Sequence, residues 1–274
     1  MTGTSSGIGR AIVDLLSREA FTVFASVRNQ ADARTVEAVG AGVHSLVLDV
    51  TDQASVWDAA RVVAQSGVPL SGVVSNAGIA IAGPLEYVPL ERLRVQLEVN
   101  VIGAMAVAQA FLPQLRANRG RLIFIGSVAG RIAMPFIAPY SASKFALRAL
   151  ADALRIELRH AGIFVSLIEP GSVKTPIWRK GREAKAHLEQ RLGSVGASHY
   201  GGALATLMRQ TEKEEASGMP PQRVARSVVR ALTARRPRAH DVLGAPARIG
   251  TVLHWLLPSS LHDRMIGRSM GLKH

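Results

Sequence analysis

Thr2-Gly3-Thr4-Ser5-Ser6-Gly7-Ile8-Gly9 opens the chain, and Ile12, Val13, Leu15 and Leu16 follow with the period of a helix. A glycine loop running into a helix gathers backbone N–H groups and the positive helix end at one point. Glycine leaves no Cβ between those donors and a pyrophosphate. A buried β-strand should precede such a loop, yet only Met1 stands ahead of Thr2. The reading is that Met1 is a misplaced start, such as a valine codon of a Val-Thr-Gly motif taken as an initiator. An apolar strand of about five to six residues is then expected upstream. Three buried Val or Ile side chains in it would be worth roughly 5–9 kcal/mol at ~1.5–3 each.

Outward from the loop, strand-like apolar runs at 21–27, 43–50, 72–75, 121–126 and 163–168 alternate with helical patterns at 55–64, 90–102, 104–117 and 138–160. The expected fold is α/β: a Rossmann-type, doubly wound parallel sheet with helices on both faces, its first strand truncated. Ligands of such sheets bind beyond the carboxyl ends of the strands. The 274 residues are most simply one domain, 1–274. Between 175 and 220 the pattern loosens. Residues 177–192 fit a helix, 193–202 read as a loop of small residues, and the whole is expected to be a substrate lid. Pro220-Pro221 starts a helix to about 234, and a short strand is expected near Val242-Leu243. The tail, 245–274, carries Leu253, Trp255, Leu256 and Leu257 beside Arg248, His254 and Arg264. It packs over the pocket or a subunit interface, or lies on a membrane surface, where Pro258 would shorten it.

Composition narrows the classes. There is no cysteine, so disulfides and thiolate metal sites are excluded, and the eight histidines lack paired ligand spacing; no metal is assigned. No 18-residue run is free of strongly polar residues, and 99–112 carries Asn100 and Gln109. A cytoplasmic location is expected. The net charge of +13 is dispersed, and its densest patch, Arg235-Arg236-Pro237-Arg238, has no interleaved aromatics. A solvated basic face, or attraction to an anionic cofactor or membrane surface, explains the charge better than nucleic-acid binding.

Tyr140-Ser-Ala-Ser-Lys144 carries the chemistry. Positions i and i+4 of a helix share a face, so a phenol and an ammonium point the same way. The ammonium favours the phenolate and lowers a pKa that is ordinarily near ~10, and the pair can pass a proton to a carbonyl or alcohol oxygen. Ser127, thirteen residues earlier at the end of a strand, can hydrogen-bond the same oxygen. It is no hydrolase nucleophile, because Ile125 stands where the Gly-x-Ser-x-Gly elbow needs glycine.

Thr2-Gly3-x-x-x-Gly7-Ile8-Gly9, Asn76-Ala77-Gly78, Asn100, Ser127, Tyr140-x-x-x-Lys144 and Pro170-Gly171 occur in the order and spacing of the short-chain dehydrogenase/reductase family. The chain resembles that family closely to about residue 180 and more loosely beyond. The resemblance implies that Tyr140 is the general acid/base and that Lys144 tunes it and holds the nicotinamide ribose. It implies that Ser127 orients the substrate and that Asn100 holds a water in a proton relay. It also implies a cofactor lined by Gly3, Ser5, Ser6, Gly7, Ile8, Gly9, Arg28, Asp49, Val50, Asn76, Ala77, Gly78, Tyr140, Lys144, Pro170, Gly171, Val173 and Thr175. Asp49 would bond the adenine amine and Thr175 the carboxamide. A homodimer or homotetramer through 90–117 and 138–160 is expected on the same ground.

Cofactor choice turns on the end of the second strand, where an acid favours NAD(H) and an arginine favours NADP(H). The chain has Ser26 and Arg28 there and no acid before Asp32, so NADP(H) is expected over NAD(H). The candidate pocket residues Ile79, Ile81, Val128, Ile132, Met134, Phe136, Val173 and Trp178 are apolar, with only Arg131 near enough to await a carboxylate. They suit a small apolar ketone, aldehyde or alcohol of steroid, retinoid or lipid type. The segments around 21–28 and 168–171 look like those of steroid- and retinol-metabolising members. The alternative is a non-catalytic NADP(H)-binding regulator or scaffold on the same fold.

Overall fold

The apolar runs become β1 (Val23–Val27), β2 (Val43–Val47), β3 (Gly72–Ser75), β4 (Arg121–Ile125), β5 (Phe164–Pro170) and β6 (His240–Leu243), and every ladder between them is parallel. The computed structural model describes residues 1–19, 21–178 and 185–272. Its helices are α1 (Gly7–Arg18), α2 (Gln30–Glu37), α3 (Gln53–Gln65), α4 (Leu90–Leu97), α5 (Gly103–Asn118), α6 (Ala138–Glu157), α7 (Lys185–Ser217), α8 (Pro221–Thr233), α9 (Ala245–Leu256) and α10 (Ser259–Ser269).

β2 pairs with β1, and β3, β4, β5 and β6 follow one another in a second ladder. Residues 1–4 join the two. Thr2 N–H donates to the Val74 carbonyl (3.0 Å), Ser26 N–H to Met1 (2.8 Å) and Thr4 N–H to Ser26 (3.0 Å). Strand order reverses at these four residues, which is where an open α/β sheet has its ligand crevice. The place expected for a first strand is thus held by a short extended segment. Toward the far end of β1 and β3 a cleft lined by Met1, Phe21, Val23, Gly72, Val74 and Leu232 lies between the strands.

Both sheet faces are covered, so the strands read as unbroken apolar runs. β4 shows the alternation. Leu122 and Phe124 pack with Val107, Phe111, Leu115, Leu147 and Leu154 of α5 and α6. Ile123 and Ile125 face Ile12, Val13 and Leu16 of α1 and Val224 and Val228 of α8. Local signals set the helix ends. Asp52 accepts from Ala54 and Ser55 N–H at the start of α3, Asn29 accepts from Asp32 N–H at α2, and Pro221 sits at the first turn of α8.

Two expectations change. Residues 90–118 form one continuous helical run in which Glu98–Ile102 is a π-turn. The run is long and apolar enough to cross a membrane, but α5 lays Ala104, Val107, Ala108, Phe111 and Leu115 into the core. The second concerns 193–202, which is helical within α7 rather than a loop; only Gly193 departs from helical geometry, as a kink. Gly201 and Gly202 have nothing near the position of a Cβ, whereas Gly196 is buried against Leu192 and Tyr87.

Candidate active site

The glycine loop is fixed by its neighbours before any ligand is considered. Thr2 Oγ1 accepts from the N–H groups of Asn76 and Ala77 (3.0 Å each), and Asn76 Nδ2 donates to the carbonyls of Thr2 (3.0 Å) and Gly3 (2.8 Å). Gly3 has φ +68°, and a Cβ there would stand 2.8 Å from Ala77 Cα. At Gly9 a Cβ would lie 2.0 Å from the Gly3 carbonyl oxygen. The start of α1 faces outward. Ser6 caps it by position with no side-chain hydrogen bond, its first turn holds no acid, and Ser5 and Ser6 are exposed. Unpaired helix N–H groups with no carboxylate beside them are an anion cradle. Thr175 closes the cradle from the far side, 3.2 Å from the position of a Cβ on Gly7.

At the neighbouring strand ends lie Ser127, Tyr140 and Lys144. Ser127 follows β4, and its hydroxyl accepts from Ala129 N–H (3.1 Å) and hydrogen-bonds the Tyr140 side chain. Tyr140 and Lys144, one turn apart on α6, are both buried. The Lys144 ammonium sits 5.7 Å from the Tyr140 ring centroid and donates to the Ile125 carbonyl (2.9 Å). Burial lowers the Lys144 pKa to about 8. It also raises the Tyr140 phenol above its ordinary value, against a smaller lowering by Ser127. The lowering of the Tyr140 pKa expected from Lys144 gives way to a rise set by burial. Desolvation of the buried phenolate is the larger effect.

Asn100 lies in the π-turn, a feature often found at functional sites. Its Oδ1 accepts from Ile79 N–H (2.9 Å), and its Nδ2 donates to the Ile79 carbonyl (3.0 Å) and Ser143 Oγ (3.0 Å). Gln96, one turn earlier, accepts from Ile81 N–H and donates to the Ile79 carbonyl (2.8 Å each). Two buried amides thus clamp the segment after Asn76-Ala77-Gly78. Gln96 and Ser143 escaped the sequence reading, although a glutamine buried four residues before Asn100 is a readable signal.

The residues expected at the adenine half stand at the ends of β1 and β2. Arg28 follows β1 and is exposed. Asp49 accepts from Thr51 N–H (2.9 Å) and Thr51 Oγ1 (2.8 Å), and those bonds, more than the nearby Arg28 charge, hold its carboxyl below the usual range. Val50 is buried beneath Gly103. Pro170 pairs with Leu243 of β6, Gly171 N–H donates to the Leu243 carbonyl (2.9 Å), and Val173 bridges to Met219. The side chain of Trp178 lies outside the described residues.

Arg131 does not await a substrate. Its Nε and Nη2 hold Glu169 in a forked pair (2.7 and 2.5 Å). His240 Nδ1 meets the same carboxylate (3.0 Å) and its Nε2 meets Asp152 (2.9 Å). Burial pushes the fully buried Glu169 up, but the bonds and charges of His240 and Arg131 win and leave it low. The Glu169 bond raises His240, and Asp152 adds to it against burial. The signal for this network was a glutamate inside the apolar run of β5. Met134 and Phe136 also leave the expected pocket, since they pack with Leu192, Leu204 and Met270 in a separate apolar cluster. The apolar surroundings of Tyr140 are Ala80, Ala129, Ile137 and Ile177.

Ser127, Tyr140 and Lys144 lie beside a glycine-rich helix N-terminus on a doubly wound parallel sheet, and the chain falls in a class of oxidoreductases. More particularly, the chain belongs to the short chain dehydrogenase family, which it matches over residues 1–186. It is 36% identical over 280 aligned positions to an NADPH-dependent 3-dehydrocapnine reductase of Ornithobacterium rhinotracheale, covering 98% of this chain and 96% of that one. It is 36% identical over 275 positions to retinol dehydrogenase 5 of Homo sapiens, covering 97% and 86%. Among solved structures it resembles a short-chain dehydrogenase of Burkholderia cenocepacia in complex with NADP, with a TM-score of 0.73 and 25% identity, covering 96% and 94%.

Proposed function

We propose that the protein is an NADP(H)-dependent oxidoreductase that interconverts an apolar ketone or aldehyde and its alcohol, with Tyr140 as the general acid/base. The observation that carries this is the buried Tyr140 hydroxyl on Ser127 with the Lys144 ammonium 5.7 Å from its ring. The bound nicotinamide supplies or accepts the hydride. In the reductive direction Tyr140, held protonated by burial, gives its proton to the substrate oxygen, and Ser127 donates a hydrogen bond to that oxygen. The Lys144 charge then stabilises the phenolate left behind. Asn100 and Gln96 hold the segment at 79–81 that borders the reacting centre.

The cofactor fits the residues present. The open N-terminus of α1 takes the pyrophosphate, and Gly3 and Gly9 let the loop close against Ala77 and Asn76 so that this helix end is held in place. Lys144 holds the nicotinamide ribose, and Asp49 lies at the adenine end. Exposed Arg28 supports NADP(H), because its guanidinium can fork onto a 2′-phosphate; an NADPH-dependent relative and an NADP-bound neighbour support the same reading, while other neighbours hold NADH or NAD. The apolar surroundings of Tyr140, and the engagement of Arg131 by Glu169, favour a substrate with no carboxylate at the reacting end. The protein assembles as a homodimer or homotetramer through α4–α5 and α6, whose outer sides expose Val95, Ile102, Phe145 and Ile156.

Tyr140→Phe is expected to cut ketone-dependent NADPH consumption roughly 100- to 10,000-fold while NADPH binding persists. Undiminished turnover would overturn Tyr140 as the general acid/base, whereas NADPH binding with no turnover of any ketone by the wild type would support the non-catalytic scaffold reading. Arg28→Ala is expected to erase the preference for NADPH over NADH in the same assay; an unchanged preference would overturn the NADP(H) assignment.

A further inference from the structure

α9 buries none of its residues. Ile249, Val252, Leu253 and Leu256 recur at i, i+3, i+4 and i+7, the spacing of one helix face, and all four are exposed. Trp255 beside them is 84% exposed, and Leu261 and Met265 of α10 continue the apolar surface. Arg248, Arg264 and Arg268 are exposed on the same two helices, and Asp263 is the one acid between 245 and 272. α10 is anchored from beneath, since Gly267 and Met270 are buried and Met270 packs with Phe136. The apolar residues of α9 thus face outward.

We propose that α9 and α10 dock the protein on an anionic lipid surface. An apolar stripe with tryptophan, rimmed by arginine, is built for the boundary between headgroups and acyl chains. Each arginine near such a surface adds attraction, and the whole chain carries +13. Charge also argues against a second copy as the occupant. A two-fold interface places a patch against itself, and here three arginines would face three arginines with a single aspartate from each copy to relieve them.

The surface adjoins the candidate active site. Ala247 Cβ lies 3.0 Å from the position of a Cβ on Gly171, and Ile132 Cδ1 lies 3.6 Å from that position on Gly250. Resting on the oxidoreductase reading above, the docked face sets the site mouth where an apolar substrate can pass from lipid to Tyr140 without crossing water.

The experiment is sedimentation with vesicles of phosphatidylcholine alone and of phosphatidylcholine with phosphatidylglycerol, at low and high salt. The full chain is expected to bind the anionic vesicles, to release them as salt rises, and to bind the neutral ones weakly. R248Q/R264Q/R268Q is expected to lose roughly 100-fold in anionic-vesicle affinity, at about 1 kcal/mol per arginine. I249E/V252E/L256E, all at exposed positions, is expected to lose at least as much while keeping its far-ultraviolet circular dichroism. Wild-type protein that ignores anionic vesicles overturns the proposal. So does a glutamate variant that binds them as the wild type does but changes oligomeric state by light scattering, which would make the stripe a subunit contact. Vesicle binding that follows the expected pattern, with no turnover of any ketone, supports the docking surface and overturns the oxidoreductase reading alone.

Discussion

Lys144 is held in a place that disfavours its own charge. Burial lowers its pKa from 10.5 to about 8. A cation depressed in this way costs stability in full below the folded pKa, and the cost fades as pH rises toward the unfolded value. The size is roughly 3 kcal/mol at 1.36 per unit, offset by the bond to the Ile125 carbonyl at ~1. Lys144→Met is therefore expected to raise the thermal midpoint of the cofactor-free protein by a few degrees near neutral pH, and less near pH 10, while abolishing turnover. Differential scanning fluorimetry across pH checks the first part. A midpoint that falls near neutrality would show that the carbonyl bond outweighs the desolvation.

At the scale of elements, the glycine loop and α7 show what a glycine is for. A Cβ on Gly9 meets the Gly3 carbonyl at 2.0 Å and Asn76 Nδ2 at 2.7 Å, both parts of the bonded seam between residues 1–4 and 76–77. Gly9→Ala is expected to destabilise by ~1–3 kcal/mol through overpacking and to remove NADPH binding as read by fluorescence titration. Gly201, inside α7 with nothing within 4 Å, is the contrast. Gly201→Ala is expected to stabilise by ~0.5–1 kcal/mol in urea denaturation, because alanine loses less backbone entropy in a helix. The same contrast explains one misreading. Small residues at 193–202 look like loop in a propensity count, but the helix tolerates them, Gly201 and Gly202 on an open surface and Gly196 where Tyr87 and Leu192 leave no room for a Cβ.

Across the whole molecule, the bridge Arg131–Glu169–His240–Asp152 ties the turn after β4, strands β5 and β6, and α6 behind the Pro170-Gly171 turn. His240 is raised, so its contribution is full below about 6.5 and is lost as pH climbs through its folded pKa. Glu169 and Asp152 are depressed, so theirs is present above the ordinary carboxylate range and lost as pH falls through their folded values. The bridge is strongest between those limits. His240→Gln is expected to lower the thermal midpoint most near pH 6 and least near pH 9; an equal loss at both would mean that packing alone accounts for it. Sequence offered only the glutamate inside the apolar run of β5 and not its partners, because the bonded pairs stand 38 to 88 positions apart, outside any local period.

The sequence by itself determined the α/β class, the parallel order of strands, the glycine cradle and the grouping of Ser127, Tyr140 and Lys144, because these depend on short spacings and on apolar runs buried on both sides. Tertiary structure alone decided which groups are already engaged: Arg131 on Glu169, Asn100 and Gln96 on Ile79, Asp49 on Thr51. It also decided that burial, rather than the neighbouring ammonium, governs Tyr140, and that the apolar stripe of α9 faces outward. Desolvation and pairing depend on what the rest of the chain brings alongside a residue, and no local pattern encodes that.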